Sequence, residues 1–270
     1  MTKRAKSEGW YGYLRTENDW RAAIDYGCYV DRAYGDHFCN FCRRWLRLSK
    51  GAWSGKPFDP MPWQQDDVFI PLFGWRRADG TRRFTKAGLW WPKKNGKSTV
   101  CSAICLYELL RRRDNPEVYT VANDRAQAGI VFGRAADMVA SSPKLTERLC
   151  ITRSSKTISK GSASWIRALS AEASSAEGVD AACVIIDEIH AFDERGRRLV
   201  SALEYSGRAR SEPLQVIIST AGDDTTRVGY QEYDYAKRVA SGEVNDPWFF
   251  ASIYEAKPTD PWDSVETFRR

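Results

Sequence analysis

The chain has 270 residues, a mass of 30.7 kDa and a formal net charge of +6. Its 43% hydrophobic and 28% charged residues are typical of a folded globular protein, and no apolar run is long enough to cross a bilayer, so disordered and membrane-spanning classes are excluded. Seven scattered cysteines, an odd number, argue against a disulfide framework, while the moderate positive charge is compatible with an acidic partner such as nucleic acid.

The first part of the chain, residues 1–56, is predicted to be a small helical lobe. Apolar residues recur at helical spacing between residues 19 and 48, which predicts two helices. A passage rich in Gly and Pro follows over residues 51–62. We therefore place a domain boundary there and take residues 57–270 as the second domain.

Cysteine and histidine residues in this lobe raise the alternative of a zinc site. No second Cys or His pair follows at the spacing of a zinc finger. Aromatic residues separate the cysteines in a helical pattern, which favours a packed helix over zinc. The residues concerned are Cys28, His37, Cys39 and Cys42.

Residues 85–99 have the layout of a phosphate-binding loop, with a buried strand, a tight basic turn and the start of a helix. Gly96, Lys97 and Ser98 match the end of the Walker A pattern, in which the lysine reaches the phosphates and the hydroxyl holds Mg²⁺. Trp91 occupies the position of the first glycine in that pattern, so a surface turn with several lysines is the alternative interpretation.

A second motif follows the apolar run at residues 182–186, which is typical of a central strand of a parallel sheet. Asp187 and Glu188 come directly after it, at the sheet edge where such folds bind ligands. In the Walker B arrangement the aspartate supports Mg²⁺ and the glutamate polarises the attacking water. The alternative is a strand that ends in solvated carboxylates.

Three segments together resemble the ATPase domain of the large subunit of tailed-bacteriophage terminases, nearest to the HK97-like group. They are Trp-Pro-Lys-Lys-Asn-Gly-Lys-Ser, Val-Ile-Ile-Asp-Glu-Ile-His-Ala-Phe and Ile-Ile-Ser-Thr-Ala-Gly, and the resemblance extends from about residue 58 to the end. It implies an ATP-driven motor that packages double-stranded DNA into an empty procapsid in the host cytoplasm. The implied partners are the terminase small subunit, the portal protein and further copies in a homo-oligomeric ring. A helicase-like or DNA-remodelling ATPase is the alternative.

The resemblance also implies roles for individual residues. Gln64 would contact adenine, Ser98 and Asp187 would hold Mg²⁺, and the expected catalytic residues are Lys93, Lys97, Glu188 and Thr220. The residues expected to bind ATP besides Gln64 are Pro92, Lys93, Lys94, Asn95, Gly96, Lys97, Ser98 and Thr99.

Lys93 stands where many members of the family carry arginine. Lysine keeps the charge of that residue but not its planar fork, which puts a role in stabilising the transferred phosphoryl group in doubt. An arginine from a neighbouring subunit is the alternative, and the candidates, unranked, are Arg134, Arg208 and Arg210.

The predicted fold is an α/β P-loop NTPase of the ASCE or RecA-like type, with a doubly wound, mainly parallel sheet and the small helical N-terminal lobe. One strand is expected between the Walker A and Walker B strands, and a hairpin-like addition is expected beside the sheet. A small-residue loop is expected at residues 170–178. The C-terminal nuclease domain of such large subunits is absent from this chain, so no nuclease activity is expected from it. The predicted hairpin strands are residues 157–159 and 165–169.

Overall fold

The computed structural model of the chain describes residues 9, 11–170, 178–220, 222, 224–256, 259–261 and 263–264. The strands in this part are β1 (Tyr29–Val30), β2 (Trp75–Arg76), β3 (Lys86–Trp90), β4 (Glu117–Ala122), β5 (Cys150–Thr152), β6 (Thr157–Ser159), β7 (Trp165–Ser170), β8 (Ala181–Asp187), β9 (Leu214–Ser219) and β10 (Phe249–Ile253).

The helices of the same part are α1 (Glu17–Asp25), α2 (Arg32–Trp45), α3 (Pro62–Gln64), α4 (Ile70–Gly74), α5 (Lys97–Arg111), α6 (Arg125–Ala140), α7 (Pro143–Thr146), α8 (Glu194–Ser206) and α9 (Val228–Ala240). A π-helical segment, Gln65–Phe69, joins α3 to α4, and short 3₁₀ turns lie at Tyr11–Tyr13, Gly51–Trp53 and Ile189–Ala191. Across the described residues, no helix is long and apolar enough to span a membrane.

The main sheet has the order β10-β3-β9-β8-β4-β7-β6-β5. Strands β10 to β7 run parallel, whereas β6 and β5 are antiparallel to their neighbours. Strand β9 therefore separates the Walker A strand β3 from the Walker B strand β8, and the predicted P-loop fold is confirmed. The hairpin at β6 and β7 does more than flank the sheet, since β7 pairs with β4 and adds a sixth parallel strand.

The central strands are covered on both faces, which explains their uninterrupted apolar sequence. All seven residues of β8 are buried, as are all six of β9. Aspartate side chains cap the helices that follow: Asp124 accepts hydrogen bonds from the second and third residues of α6, and Asp193 does the same for α8. The chain thus turns sharply at the carboxyl ends of the strands.

The N-terminal helices share one hydrophobic core with the sheet. Phe38 of α2 stacks on Phe73 at 4.5 Å and contacts Tyr107 of α5 edge-on at 5.0 Å between ring centroids. Strand β1 pairs with β2 across the proposed boundary. The N-terminal lobe and the rest of the chain therefore pack as one body. The domain boundary between residues 56 and 57 stays a prediction.

The cysteines of α2 are core residues. Cys39 and Cys42 are buried, and burial raises the pKa of the Cys39 thiol to about 11. Nδ1 of His37 lies 2.9 Å from the Tyr107 hydroxyl. These contacts are those of the packed helix that the sequence favoured.

Candidate functional site

Two residues of the loop between β3 and α5 have a left-handed backbone conformation. Lys94 has φ of 71° and Gly96 has φ of 76°. Glycine adopts this conformation without strain, whereas a lysine there is uncommon. Helix α5 begins directly after Gly96, so its unpaired N–H groups and positive dipole end lie at the loop.

Trp91 anchors the start of this loop. Its backbone N–H donates to the Ser219 carbonyl at 3.1 Å, and its indole N–H donates to the Ser252 hydroxyl at 3.0 Å. The ring is buried and packs edge-on against Trp63 at 5.0 Å. A side chain with this packing explains why the first glycine of the Walker A pattern is replaced here.

The Lys97 side chain lies inside the loop. Its Nζ donates to the carbonyls of Trp91 at 3.1 Å and Pro92 at 3.3 Å, and lies 3.9 Å from Oε1 of Glu188. Only 8% of the residue is exposed. Phosphate oxygens at this place would give the ammonium group stronger, charge-assisted partners than neutral carbonyls.

Asp187 is a buried carboxyl at the end of β8. Burial, followed by the neighbouring charge of Glu188, raises its pKa to about 7. Its Oδ1 is buried and has no hydrogen-bond partner within the described residues. A hard cation with oxygen ligands fits this group, and Mg²⁺ needs only one or two protein ligands beside substrate phosphates. Ser98, in the first turn of α5, is the other residue predicted to hold this ion.

Glu188 adopts a strained backbone conformation. Its φ of 53° and ψ of 52° are left-handed, which is uncommon for a non-glycine residue and clusters at functional sites. Its N–H donates to the Ile218 carbonyl at 2.8 Å. Its Oε2 accepts from the Thr220 backbone N–H at 3.3 Å and lies 3.5 Å from the Thr220 hydroxyl. The predicted residues Lys97, Asp187, Glu188 and Thr220 are therefore brought together at one sheet edge.

His190 joins the same cluster, although the sequence assigned no role to it. Its Nδ1 lies 2.8 Å from the Ser219 hydroxyl and 3.1 Å from Oε2 of Glu188. The sequence signal for a role of His190 is its position two residues after Glu188. Its partner Ser219 is 29 residues away along the chain, so the sequence does not show their contact.

Gln64 lies behind the phosphate loop. It is 2% exposed, its Nε2 donates to the Asn95 carbonyl at 3.2 Å, and its Oε1 accepts from the Met61 N–H at 3.0 Å. The amide therefore supports the loop in this structure, and its contact with adenine stays a prediction. The remaining predicted loop residues divide by exposure: Pro92, Lys93 and Lys94 are exposed, whereas Ser98 and Thr99 are half-buried.

The three candidate arginines differ in the partners that they have in the structure. Arg210 is ion-paired with Asp114 at 3.2 Å and Asp180 at 3.0 Å, and Arg208 stacks on the Tyr205 ring at 4.1 Å. Arg134 differs, because its Nε is buried without a hydrogen-bond partner among the described residues and its charge, with that of Lys97, acts against the rise in the pKa of Asp187. Arg134 is thus the candidate in electrostatic reach of this chain's own site.

The model of one protein family, the ATPase domain of the terminase large subunit, matches residues 62–238. The chain belongs to this family. It is 29% identical over 226 residues to the terminase large subunit of Enterobacteria phage HK97, a match that covers 82% of the chain and 42% of that protein.

Solved terminases have the same fold. The crystal structure of the HK97 large terminase matches with a TM-score of 0.70 and 26% identity over 86% of this chain and 46% of that one. A mutant ATPase domain of the large terminase of Thermus phage P74-26 matches with a TM-score of 0.50 and 17% identity over 64% of this chain and 77% of that one, which bears on the fold alone.

The family match and the HK97 structure confirm the predicted family and its α/β fold. Membership of this family supports ATPase activity in general terms. The chain spans less than half the length of the HK97 proteins that it matches. The roles of individual residues stay predictions.

Proposed function

We propose that this terminase ATPase domain hydrolyses ATP with Mg²⁺ and uses the energy to move double-stranded DNA into a procapsid in the host cytoplasm. The observation that carries the proposal is the buried Asp187 carboxyl, whose Oδ1 has no partner within the described residues, at the same sheet edge as Lys97 and Glu188. A buried carboxyl of this kind costs stability unless a ligand compensates it.

The residues divide the chemistry among them. Lys97 and the loop N–H groups would bind the β- and γ-phosphates, and Ser98 and Asp187 would hold Mg²⁺, which would supply positive charge against the phosphate oxygens. Glu188 orients the attacking water. The Thr220 backbone N–H fixes Oε2 of Glu188 at 3.3 Å, which leaves Oε1 on the side of Lys97.

Thr220 links hydrolysis to movement in this proposal. It directly follows β9, and the next helix in the described residues is α9. A change in the position of Glu188 during the reaction alters its contact with Thr220 and so the end of β9. This is a coupling between the site and an adjacent helix.

The proposal is tested by the rate of ATP hydrolysis in the presence of different nucleic acids and capsids. We expect double-stranded DNA, and empty procapsids with their portal and the terminase small subunit, to raise the rate. Stimulation by single strands alone, or separation of a duplex, would instead identify a helicase.

Assembly into a ring is part of the proposal. Lys93 is an exposed point charge, so full stabilisation of the transferred phosphoryl group requires a guanidinium, which can be worth roughly 10³–10⁵ in rate. If a neighbouring subunit supplies it, activity per subunit rises with protein concentration. Activity that stays high and flat on dilution of a monomer would assign the group to the same chain, with Arg134 the first to replace.

We also propose that this chain has no nuclease activity of its own. Plasmid DNA incubated with the purified protein and Mg²⁺ or Mn²⁺ should stay intact. Nicking that disappears when a carboxylate of this chain is replaced would contradict the proposal.

A further inference from the structure

His190 lies between the two motifs that meet at the site. It follows β8 and Glu188 on a 3₁₀ turn, Ile189–Ala191, while its nearest side-chain partner, Ser219, ends β9. Its Nδ1 is 2.8 Å from the Ser219 hydroxyl and 3.1 Å from Oε2 of Glu188. One imidazole nitrogen therefore contacts both motifs.

The role of Nδ1 as donor or acceptor depends on the tautomer of the imidazole. A carboxylate oxygen accepts hydrogen bonds, so the tautomer that carries a proton on Nδ1 is the one that can donate to Glu188. The Ser219 hydroxyl can then accept from the same N–H or turn to another acceptor. Oε2 of Glu188 accepts from the Thr220 N–H and lies 3.1 Å from Nδ1 of His190.

Two glycines hold the histidine in place. A Cβ on Gly229, the second residue of α9, would lie 2.6 Å from the Cα of His190, and a Cβ on Gly222 would lie 2.9 Å from its Cβ. Contacts this close mean that the chain around α9 rests directly on the His190 residue. The backbone and Cβ of His190 are therefore packed in place beside Glu188.

Among the described residues, Asp224 and Arg227 lie near His190 and pair with each other. Asp224 accepts from Nε of Arg227 at 2.9 Å, and a second nitrogen of Arg227 lies 3.4 Å from the Ala191 carbonyl. Within the described residues, Glu188 is the carboxylate in contact with the imidazole.

We propose that His190 is a positioning residue for ATP hydrolysis, whose Nδ1–H holds the Glu188 carboxylate in the orientation that it needs to act on water. The inference rests on the hydrolytic function proposed above. The strained backbone of Glu188 gives a reason for such a support, since a side chain on a left-handed residue must be held by its surroundings. The bond to Ser219 would make the same support sensitive to the end of β9.

The test compares His190→Leu with His190→Asn. Asparagine carries an amide nitrogen at the position of Nδ1, one bond beyond Cγ, whereas leucine places an apolar methyl group there. We expect kcat for ATP to fall about 10- to 100-fold in His190→Leu and to stay within about threefold of the parent in His190→Asn, with KM within about threefold in both.

His37→Leu is the matched control, because His37 is the other histidine of the chain and bonds Tyr107 in the core of the lobe. Its kcat per folded molecule should equal that of the parent. A kcat for His190→Leu equal to the parent, or an equal loss in His190→Leu and His190→Asn, would overturn the positioning role.

A double-mutant cycle with Ser219→Ala checks the bond to β9. We expect Ser219→Ala to lower kcat a few-fold in the parent but to have no further effect in His190→Leu, because the partner is already lost. Fully additive losses would show that the two residues act independently. Absence of ATP hydrolysis by the parent would overturn the proposed function itself, whereas an active parent with an equally active His190→Leu would overturn the positioning role alone.

Discussion

The two ends of helix α5 both carry buried charges, but only one end balances them. At its C-terminal end Glu108 is fully buried and lies 3.1 Å from Arg82 and 2.9 Å from Arg111. Burial alone raises the pKa of Glu108, but the guanidinium groups of Arg111 and Arg82 outweigh it and leave that pKa below its usual value.

The N-terminal end of α5 has the opposite character. Burial and the charge of Glu188 raise the pKa of Asp187 to about 7, and Oδ1 of Asp187 has no partner in the described part of the chain. Lys97 is hydrogen-bonded to carbonyls of its own loop. Complete ion pairing therefore marks a structural cluster, whereas an incompletely paired cluster at a loop marks a place for a ligand.

The largest effect is expected from breaking the balanced cluster. Glu108→Gln takes the paired carboxylate away from the buried Arg82, while Arg111 keeps Glu212, and should lower the free energy of unfolding by about 3–5 kcal/mol. Chemical denaturation measures it. Glu147→Gln, which removes an exposed partner of Arg148, is the control and should change stability by less than about 0.5 kcal/mol. Equal stability of both variants would contradict the structural reading of the cluster.

The next effect concerns the lysine at the unbalanced end. Lys97→Ala should weaken ATP binding about 100-fold, because a charge-assisted bond to phosphate is lost, while the stability of the free protein changes little. Calorimetric titration of an ATP analogue with Mg²⁺ measures it, with Lys50→Ala in the N-terminal lobe as the control. Unchanged affinity in Lys97→Ala would remove the loop from nucleotide binding.

Asp187→Asn should make the free protein more stable and the nucleotide complex weaker. The folded-state pKa of about 7 lies above the ordinary aspartate value of 3.8, so the folded state binds the proton more tightly and the parent loses stability as pH rises between those values. The melting temperature of the variant should exceed that of the parent at pH 8, by a smaller margin at pH 5. A difference in melting temperature that is as large at pH 5 as at pH 8 would show that burial does not raise the pKa of Asp187.

The smallest effect is expected at Thr220. Thr220→Val removes a hydroxyl that lies 3.5 Å from Glu188 but keeps the backbone N–H at 3.3 Å. We expect kcat to fall by no more than about tenfold. A loss as large as that caused by replacing Glu188 would mean that the hydroxyl itself takes part in the reaction.

The sequence was sufficient for the parts of the site that follow directly from consecutive residues. A glycine, lysine and serine after a strand, and two carboxylates after an apolar run, predict where the loop and the acids lie along the chain. The strand order around them follows from the parallel α/β pattern and was confirmed by the pairing of β9 with β3 and β8.

The rest depends on residues that meet only in the folded chain. The bond between Trp91 and Ser252 spans 161 positions, so the sequence could not show why tryptophan replaces glycine. The contact between His190 and Ser219 likewise requires β8 and β9 to be neighbours. Most of the predicted loop at residues 170–178 lies outside the described residues, and so does Ala221 of the third motif.

The most direct test of the account is a comparison of ATP binding and ATP hydrolysis in Glu188→Gln. The amide keeps the size of the side chain but cannot act as a base on water, so the variant should bind an ATP analogue with Mg²⁺ as the parent does. Its kcat should fall by roughly 10²–10⁴. Hydrolysis by Glu188→Gln at the parent's rate, measured in the same assay, would contradict the assignment of this sheet edge as the catalytic site.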